Sequence, residues 1–137
     1  MTYPLSLQPP ITKLFHFAAM GLVATAIHFA VLITLVQISG MAPVSASTLG
    51  FITGAAVNYL LNYHFTFKSR KPHTEAAAKF LIVALCGLTL NSSLMYIGTE
   101  VLSVQYLISQ AAATILVLLW NFTANYLWSF RVHGDGR

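Results

Sequence analysis

The stretch between Lys13 and Lys68 constrains the fold most. Residues 14 to 67, 54 in a row, contain no Asp, Glu, Lys or Arg. A water-soluble domain carries about 25% charged residues; this 137-residue chain has 7%, and 57% of it is hydrophobic. From Phe80 to Phe130 the only charged side chain is Glu100. A small soluble domain keeps too large a share of its surface exposed to hide so much apolar area. Lipid must therefore be the main solvent.

A bilayer core is crossed by about 20 helical residues, so the first uncharged run must fold back once. "QISGMAP" at Gln37–Pro43 supplies the break, with Gly40 as punctuation and Pro43 suited to a first helical turn. The second run breaks at "GTEVLSVQY", because Glu100 is costly at the bilayer centre. Four spans follow, about Leu14–Ile38, Val44–Phe65, Phe80–Gly98 and Tyr106–Trp128. The expected fold is an all-α integral membrane protein, one four-helix domain over residues 1–137. A transmembrane barrel alternates over strands of about ten residues, whereas these runs are longer and apolar on all sides. The first run is also about twice the 7–15-residue core of a cleaved signal peptide, so we expect it to remain as a span.

Charge sets the expected orientation. With four spans, Lys13, Lys68, Arg70, Lys71, Lys79, Arg131 and Arg137 all fall on one side, and the opposite turns hold Glu100 and no cation. Cations favour the cytoplasmic side, so both termini and the middle segment are expected in the cytoplasm. The net charge of +4 then serves anchoring and attraction to anionic lipid headgroups. The basic residues flank spans and form no soluble module, which argues against nucleic acid. In the middle segment Thr74 suits an N-cap, with Glu75 in the first turn and Lys79 four residues further on.

The chain spells one peptide twice. "NYLLNYHFTFK" (Asn58–Lys68) is followed 63 positions later by "NFTANYLWSFR" (Asn121–Arg131). Asn58 matches Asn121, Asn62 matches Asn125, Tyr63 matches Tyr126, Phe67 matches Phe130 and Lys68 matches Arg131. The first and third spans align at 66, pairing Lys13, Gly21, Leu22 and Thr25 with Lys79, Gly87, Leu88 and Asn91. The unit is thus a helical hairpin used twice, about residues 13–68 and 79–131. Two spans per unit make the repeat parallel, its axis along the membrane normal.

The second span carries Ala46, Gly50, Gly54, Asn58 and Asn62 at every fourth position, and the fourth carries Ser109, Ala113, Val117, Asn121, Asn125 and Ser129. Such faces allow close helix approach, and Gly50/Gly54 form a G-x-x-x-G pair; Gly21 and Gly87 are further packing candidates. Asn58 and Asn121 lie deeper and suit a hydrogen-bonded seam. Asn62 and Asn125 lie near the interface and suit water, headgroups or a ligand. Tyr63, Phe67, Tyr126, Trp128 and Phe130 fit either an aromatic belt or a sugar or isoprenoid surface. Lys13, Lys68, Arg70, Lys71, Lys79 and Arg131 fit either topological anchors or, beside the amides, a phosphate site. His28 and Asn91 are the polar groups of the first and third spans; an ionisable residue there is a functional candidate, and a neutral His bonded between helices explains it equally.

Other chemistries find no support. Cys86 is the single cysteine, so neither an intrachain disulfide nor a chelating Cys/His set can form. No catalytic constellation, phosphate loop or metal motif is visible, so neither enzymatic activity nor a cofactor is expected. The spans hold no internal carboxylate, which disfavours a carboxylate-based proton antiporter.

The charged entry, "FAAMG" at Phe17–Gly21, the small-residue second span and the duplicated N-[FY]-x-x-N-[YHR]-x-[FW]-[TS]-F pattern resemble the GtrA-like family over about residues 12–132. A common family version has Arg or Lys after the second Asn, where this chain has Tyr63 and Tyr126. The resemblance implies a multi-pass protein of the bacterial inner membrane that moves a polyprenyl-phosphate-linked monosaccharide, of the undecaprenyl-phosphate type, to the outer leaflet. It also implies a partner polyprenyl-phosphate glycosyltransferase. In that reading the six cations hold the lipid phosphate, and His28, Asn58, Asn62, Asn91, Asn121 and Asn125 line a polar path. Four short helices enclose little volume, so a homo-oligomer, a dimer, is expected. The alternative is a membrane scaffold or accessory subunit of the glycosyltransferase.

Overall fold

The computed structural model describes residues 10–65 and 73–135, with the side chains of 10, 13, 14, 17, 62–65, 73–77 and 125–135 outside the description. The order is α1 (Pro10–Gln37), α2 (Pro43–Phe65), α3 (His73–Tyr96), a π-helical segment (Ile97–Val101) and α4 (Tyr106–Asp135). All four helices are long and apolar enough to cross a membrane. Only 17–22% of each apolar span is buried within the protein, so lipid must cover the rest. The helix starts at Pro43 and Tyr106 meet the expected boundaries, whereas α3 begins at His73, one residue before the expected cap Thr74.

The helices alternate in direction. On α1 and α2, His28 faces Gly50 and Ala24 faces Gly54. On α2 and α3, Thr48 bonds Ser92 at 2.9 Å, Phe51 meets Gly87, and the Tyr59 and Phe80 rings lie 5.0 Å apart. On α3 and α4, Gly98 faces Ser109 and Gly87 faces Val117. Each set runs antiparallel, so the start of α1, the end of α2, the start of α3 and the end of α4 share one end of the bundle. The continuous seams are α1–α2, α2–α3 and α3–α4. Helices α1 and α4 share no comparable seam among the described residues, and touch where Gln37 Nε2 donates to Tyr106 Oη at 2.9 Å.

The two hairpin turns are built alike. Gly40 (φ 67°) and Ser103 (φ 53°), 63 positions apart, take left-handed backbone. Met41 N–H donates to the Leu35 carbonyl at 3.0 Å, and Val104 N–H to the Gly98 carbonyl at 2.8 Å. Each bond spans six positions, one more than the C″-to-C3 bond of a Schellman end, and each closes its helix just after the left-handed residue. Ala46→Ala42 and Ser109→Gln105 backbone bonds then open α2 and α4.

Burial recurs at the same spacing. His28, Leu32, Ala46 and Ser47 are buried, and so are Asn91, Met95, Ser109 and Gln110. The spacing of 63 therefore holds through α1 and α3 too, which corrects the offset of 66 expected there: His28, not Thr25, corresponds to Asn91. Offsets of 66 and 63 would also make the second hairpin's turn three residues shorter than the first, and with 63 throughout it is not. Three residues make most of one helical turn, so a shift of three keeps residues on nearly one face and admits chance matches such as Gly21 with Gly87.

The G-x-x-x-G face packs as expected. A Cβ on Gly50 would stand 2.7 Å from the His28 carbonyl oxygen, and one on Gly54 2.8 Å from that of Ala24. In the second hairpin the glycines lie on the other helix. A Cβ on Gly87 would stand 3.1 Å from Phe51 Cζ, and one on Gly98 2.5 Å from Ser109 Oγ. Gly21 is a correction: nothing lies within 4 Å of where its Cβ would be, so it packs no helix. It lies one turn before Ala24, the position that does meet α2.

Candidate functional site: a buried polar circuit

Side chains from α2, α3 and α4 close a hydrogen-bonded cycle inside the spans, and α1 joins it through His28. Ser47 on α2 donates its hydroxyl to Gln110 Oε1 on α4. Gln110 Nε2 donates to Asn91 Oδ1 on α3 at 2.9 Å. Asn91 Nδ2 donates to Ser47 Oγ at 2.8 Å, closing the cycle. His28 on α1 places Nε2 3.4 Å from Ser47 Oγ, and Gln110 Nε2 also donates to Thr114 Oγ1 at 3.2 Å. A serine hydroxyl has one proton and two acceptor lone pairs. Ser47 spends its proton on Gln110 and one lone pair on Asn91, so His28 must donate to the second. The network thereby assigns the Nε2–H tautomer.

Each residue arrives by a simple local rule. Ser47 and Gln110 stand four residues into α2 and α4, about 6 Å along each axis. Ser47 adjoins the small-residue face through Ala46, and Gly50 lets α1 bring His28 against it. Asn91 lies near the end of α3, one position before Ser92, which bonds Thr48. The rings of His28 and Phe51 meet edge-on at 5.9 Å, giving the circuit an aromatic wall.

Burial makes the circuit consequential. Ser47 and Gln110 are fully buried, Asn91 is 1% exposed and His28 7%. Such groups are unfavourable in a membrane interior unless paired. Interhelical bonds of this kind contribute only about 0.6 kcal/mol each on average, so four of them hold the helices with about 2–3 kcal/mol. Deleting one partner costs more than its bond, because a buried polar group left unpaired loses about 1–3 kcal/mol. The arrangement can thus staple four helices, or exchange its bonds for those of a neutral polar ligand.

Two buried groups on α4 are unsatisfied, Ser109 beside the circuit and Asn121 about three turns away. Ser109 Oγ and Asn121 Oδ1 are buried without a hydrogen-bond partner. Asn121 Oδ1 lies 3.8 Å from the Cβ position of Gly87, within the α3–α4 seam expected for it. Asn58 is half-buried on α2.

The circuit joins His28 and Asn91, both expected as polar-path residues, and adds Ser47, Gln110 and Thr114, which sequence reading missed. The signal lay in the spacing of 63, which sets Ser47 against Gln110 and His28 against Asn91. Of the cations expected to hold a phosphate, Lys13, Lys79 and Arg131 have their backbones toward the opposite end of the bundle. Lys79 is exposed on α3. Phe67, Lys68, Arg70 and Lys71 lie outside the described residues, as do the side chains of Lys13, Asn62, Tyr63, Asn125, Tyr126, Trp128, Phe130 and Arg131. A second feature is an open groove of about 540 Å³ on α3, lined by Leu85, Cys86, Thr89, Leu90, Ser93 and Trp120. Among the described residues, no group of three His, Cys, Asp or Glu side chains could hold a metal ion.

A family model described as the GtrA/DPMS transmembrane domain matches residues 16–130. No curated protein and no solved structure matches the chain. The match takes in all four spans, both hairpin turns and the whole circuit, and the chain therefore belongs to the GtrA/DPMS transmembrane-domain family, membrane proteins of glycosyl-lipid metabolism.

Proposed function

We propose that this protein translocates a polyprenyl-phosphate-linked monosaccharide, of the undecaprenyl-phosphate type, from the cytoplasmic to the outer leaflet of a bacterial inner membrane. The observation that carries the reading is the neutral polar circuit buried within four membrane-spanning helices. A purely anchoring domain needs no such groups. A carrier of a hydroxylated headgroup needs polar partners at depth, because the sugar cannot enter hydrocarbon without them. The isoprenoid tail stays in lipid throughout.

In this reading both termini face the cytoplasm. Lys13, Lys68, Arg70, Lys71, Lys79 and Arg131 attract the lipid phosphate there, and Asn62 and Asn125 add hydrogen bonds at the helix ends. Consumption of the sugar outside draws the movement, with no catalysis by the chain itself. A glycosyltransferase supplies the lipid, and the carrier works as a homodimer.

A second reading, a scaffold for that glycosyltransferase, is favoured by Gly21, whose bare backbone faces open space on α1. Reconstitution separates the two. Pure protein in liposomes with a labelled polyprenyl-phosphate sugar should bring the label to the far leaflet well above the protein-free rate. An unchanged rate refutes transport by this chain alone and leaves the scaffold.

A further inference from the structure

Resting on the lipid-sugar reading, we infer that Ser47, Asn91, Gln110 and His28 form a subsite for sugar hydroxyls at the turn end of the bundle. Without sugar the same groups bond one another and bar the path.

The argument starts from the direction of the bonds. Ser47 donates to Gln110, Gln110 to Asn91, and Asn91 to Ser47. A hydroxyl both donates and accepts. It can enter any link of such a cycle, accepting from one member and donating to the next, and no group is left unpaired. A carboxylate accepts only and an ammonium donates only, so either would break the cycle and strand a buried partner. The circuit's own members are amides, a hydroxyl and an imidazole, with no fixed charge to meet an ion. Its chemistry therefore fits a neutral polyol and not a phosphate.

Placement agrees. The members come from four helices, all within the apolar spans, so the helices cannot part at this level while the cycle is closed. Ser109, beside Gln110, is 6% exposed and its hydroxyl has no protein partner, leaving one more buried group able to take a hydroxyl. Helices α1 and α4 carry His28 and Gln110 and lack a continuous seam, which makes that side the easiest to open.

The test is equilibrium binding by native mass spectrometry of the full chain. Three probes share one polyprenyl phosphate: one bears a neutral hexose, one a uronic acid, and one no sugar. Wild type should hold the hexose lipid about tenfold more tightly than the other two. Ser47→Ala and Gln110→Leu should lose that preference while binding the bare polyprenyl phosphate as wild type does, which also reports an intact fold. A preference that survives in both variants, or is absent from wild type, overturns the subsite. Should the variants fail to fold, side-chain amide NMR of wild type decides. The Asn91 and Gln110 resonances should shift with the hexose lipid and stay with the bare lipid; no difference overturns the inference. A hexose preference without transport refutes the carrier reading and leaves the subsite standing.

Discussion

Ser47 and Gln110 stand 63 positions apart and meet side chain to side chain near the turn end of the bundle, inside the apolar spans. Each occupies the same place in its own hairpin, four residues after the helix start. The contact therefore joins equivalent points of the two halves, and Asn91, the equivalent of His28, closes the cycle.

Shared bonds make the circuit's members interdependent. Ser47→Ala and Asn91→Leu should each lower stability by about 1–3 kcal/mol through the partners left unpaired. The double variant should lose less than the sum, since each single change already strands the same neighbours. Thermal or denaturant unfolding in detergent, arranged as a double-mutant cycle, measures the coupling. Additive losses would show that the members act separately.

Helix contact should respond to one methyl group, depending on where it goes. Gly54→Ala places a Cβ 2.8 Å from the Ala24 carbonyl oxygen, a backbone atom that cannot step aside, so α1 must move away and stability should fall. Gly21→Ala meets nothing within 4 Å and lies inside a helix, so it should gain up to about 1 kcal/mol from propensity. Melting temperatures of the two variants should move in opposite directions.

Ser103 pays for its left-handed backbone. At φ 53° a side chain crowds the chain, and Gly40 holds the equivalent place without that cost. Ser103→Gly should stabilise the protein by about 1 kcal/mol, and Gly40→Ala should destabilise it by a similar amount. Both are read from unfolding curves, and a loss of stability in Ser103→Gly would contradict the strain.

Orientation can be read chemically. Glu100 is exposed at the hairpin-turn end, and Lys79 is exposed on the first half of α3, toward the other end. In a Cys86→Ala background, Glu100→Cys should react with an impermeant thiol reagent added outside intact spheroplasts. Lys79→Cys should react only after lysis. The reverse pattern would place the termini outside.

The four spans were legible because lipid imposes a simple rule: every long uncharged run must cross, and it must break where Gly40, Pro43 or Glu100 stands. The close face of α2 was equally legible, since Gly50 and Gly54 recur on one side of a helix. Gly21 was misread because nothing local distinguishes a glycine that admits a neighbour from one that meets none. The register of the first and third spans was misread for a related reason, as identity matches three residues apart look alike on a helix.

By itself, then, the sequence determined a four-span membrane chain, its breaks, and some of the polar residues that hydrocarbon would not tolerate alone, His28 and Asn91 among them. Tertiary structure decided their partners, Ser47 and Gln110. Hydropathy acts on each segment separately and has no direction in space. A hydrogen bond needs two atoms at about 3 Å with the right orientation, and only the packing of α1 on α2, α2 on α3 and α3 on α4 brings His28, Ser47, Asn91 and Gln110 to that distance.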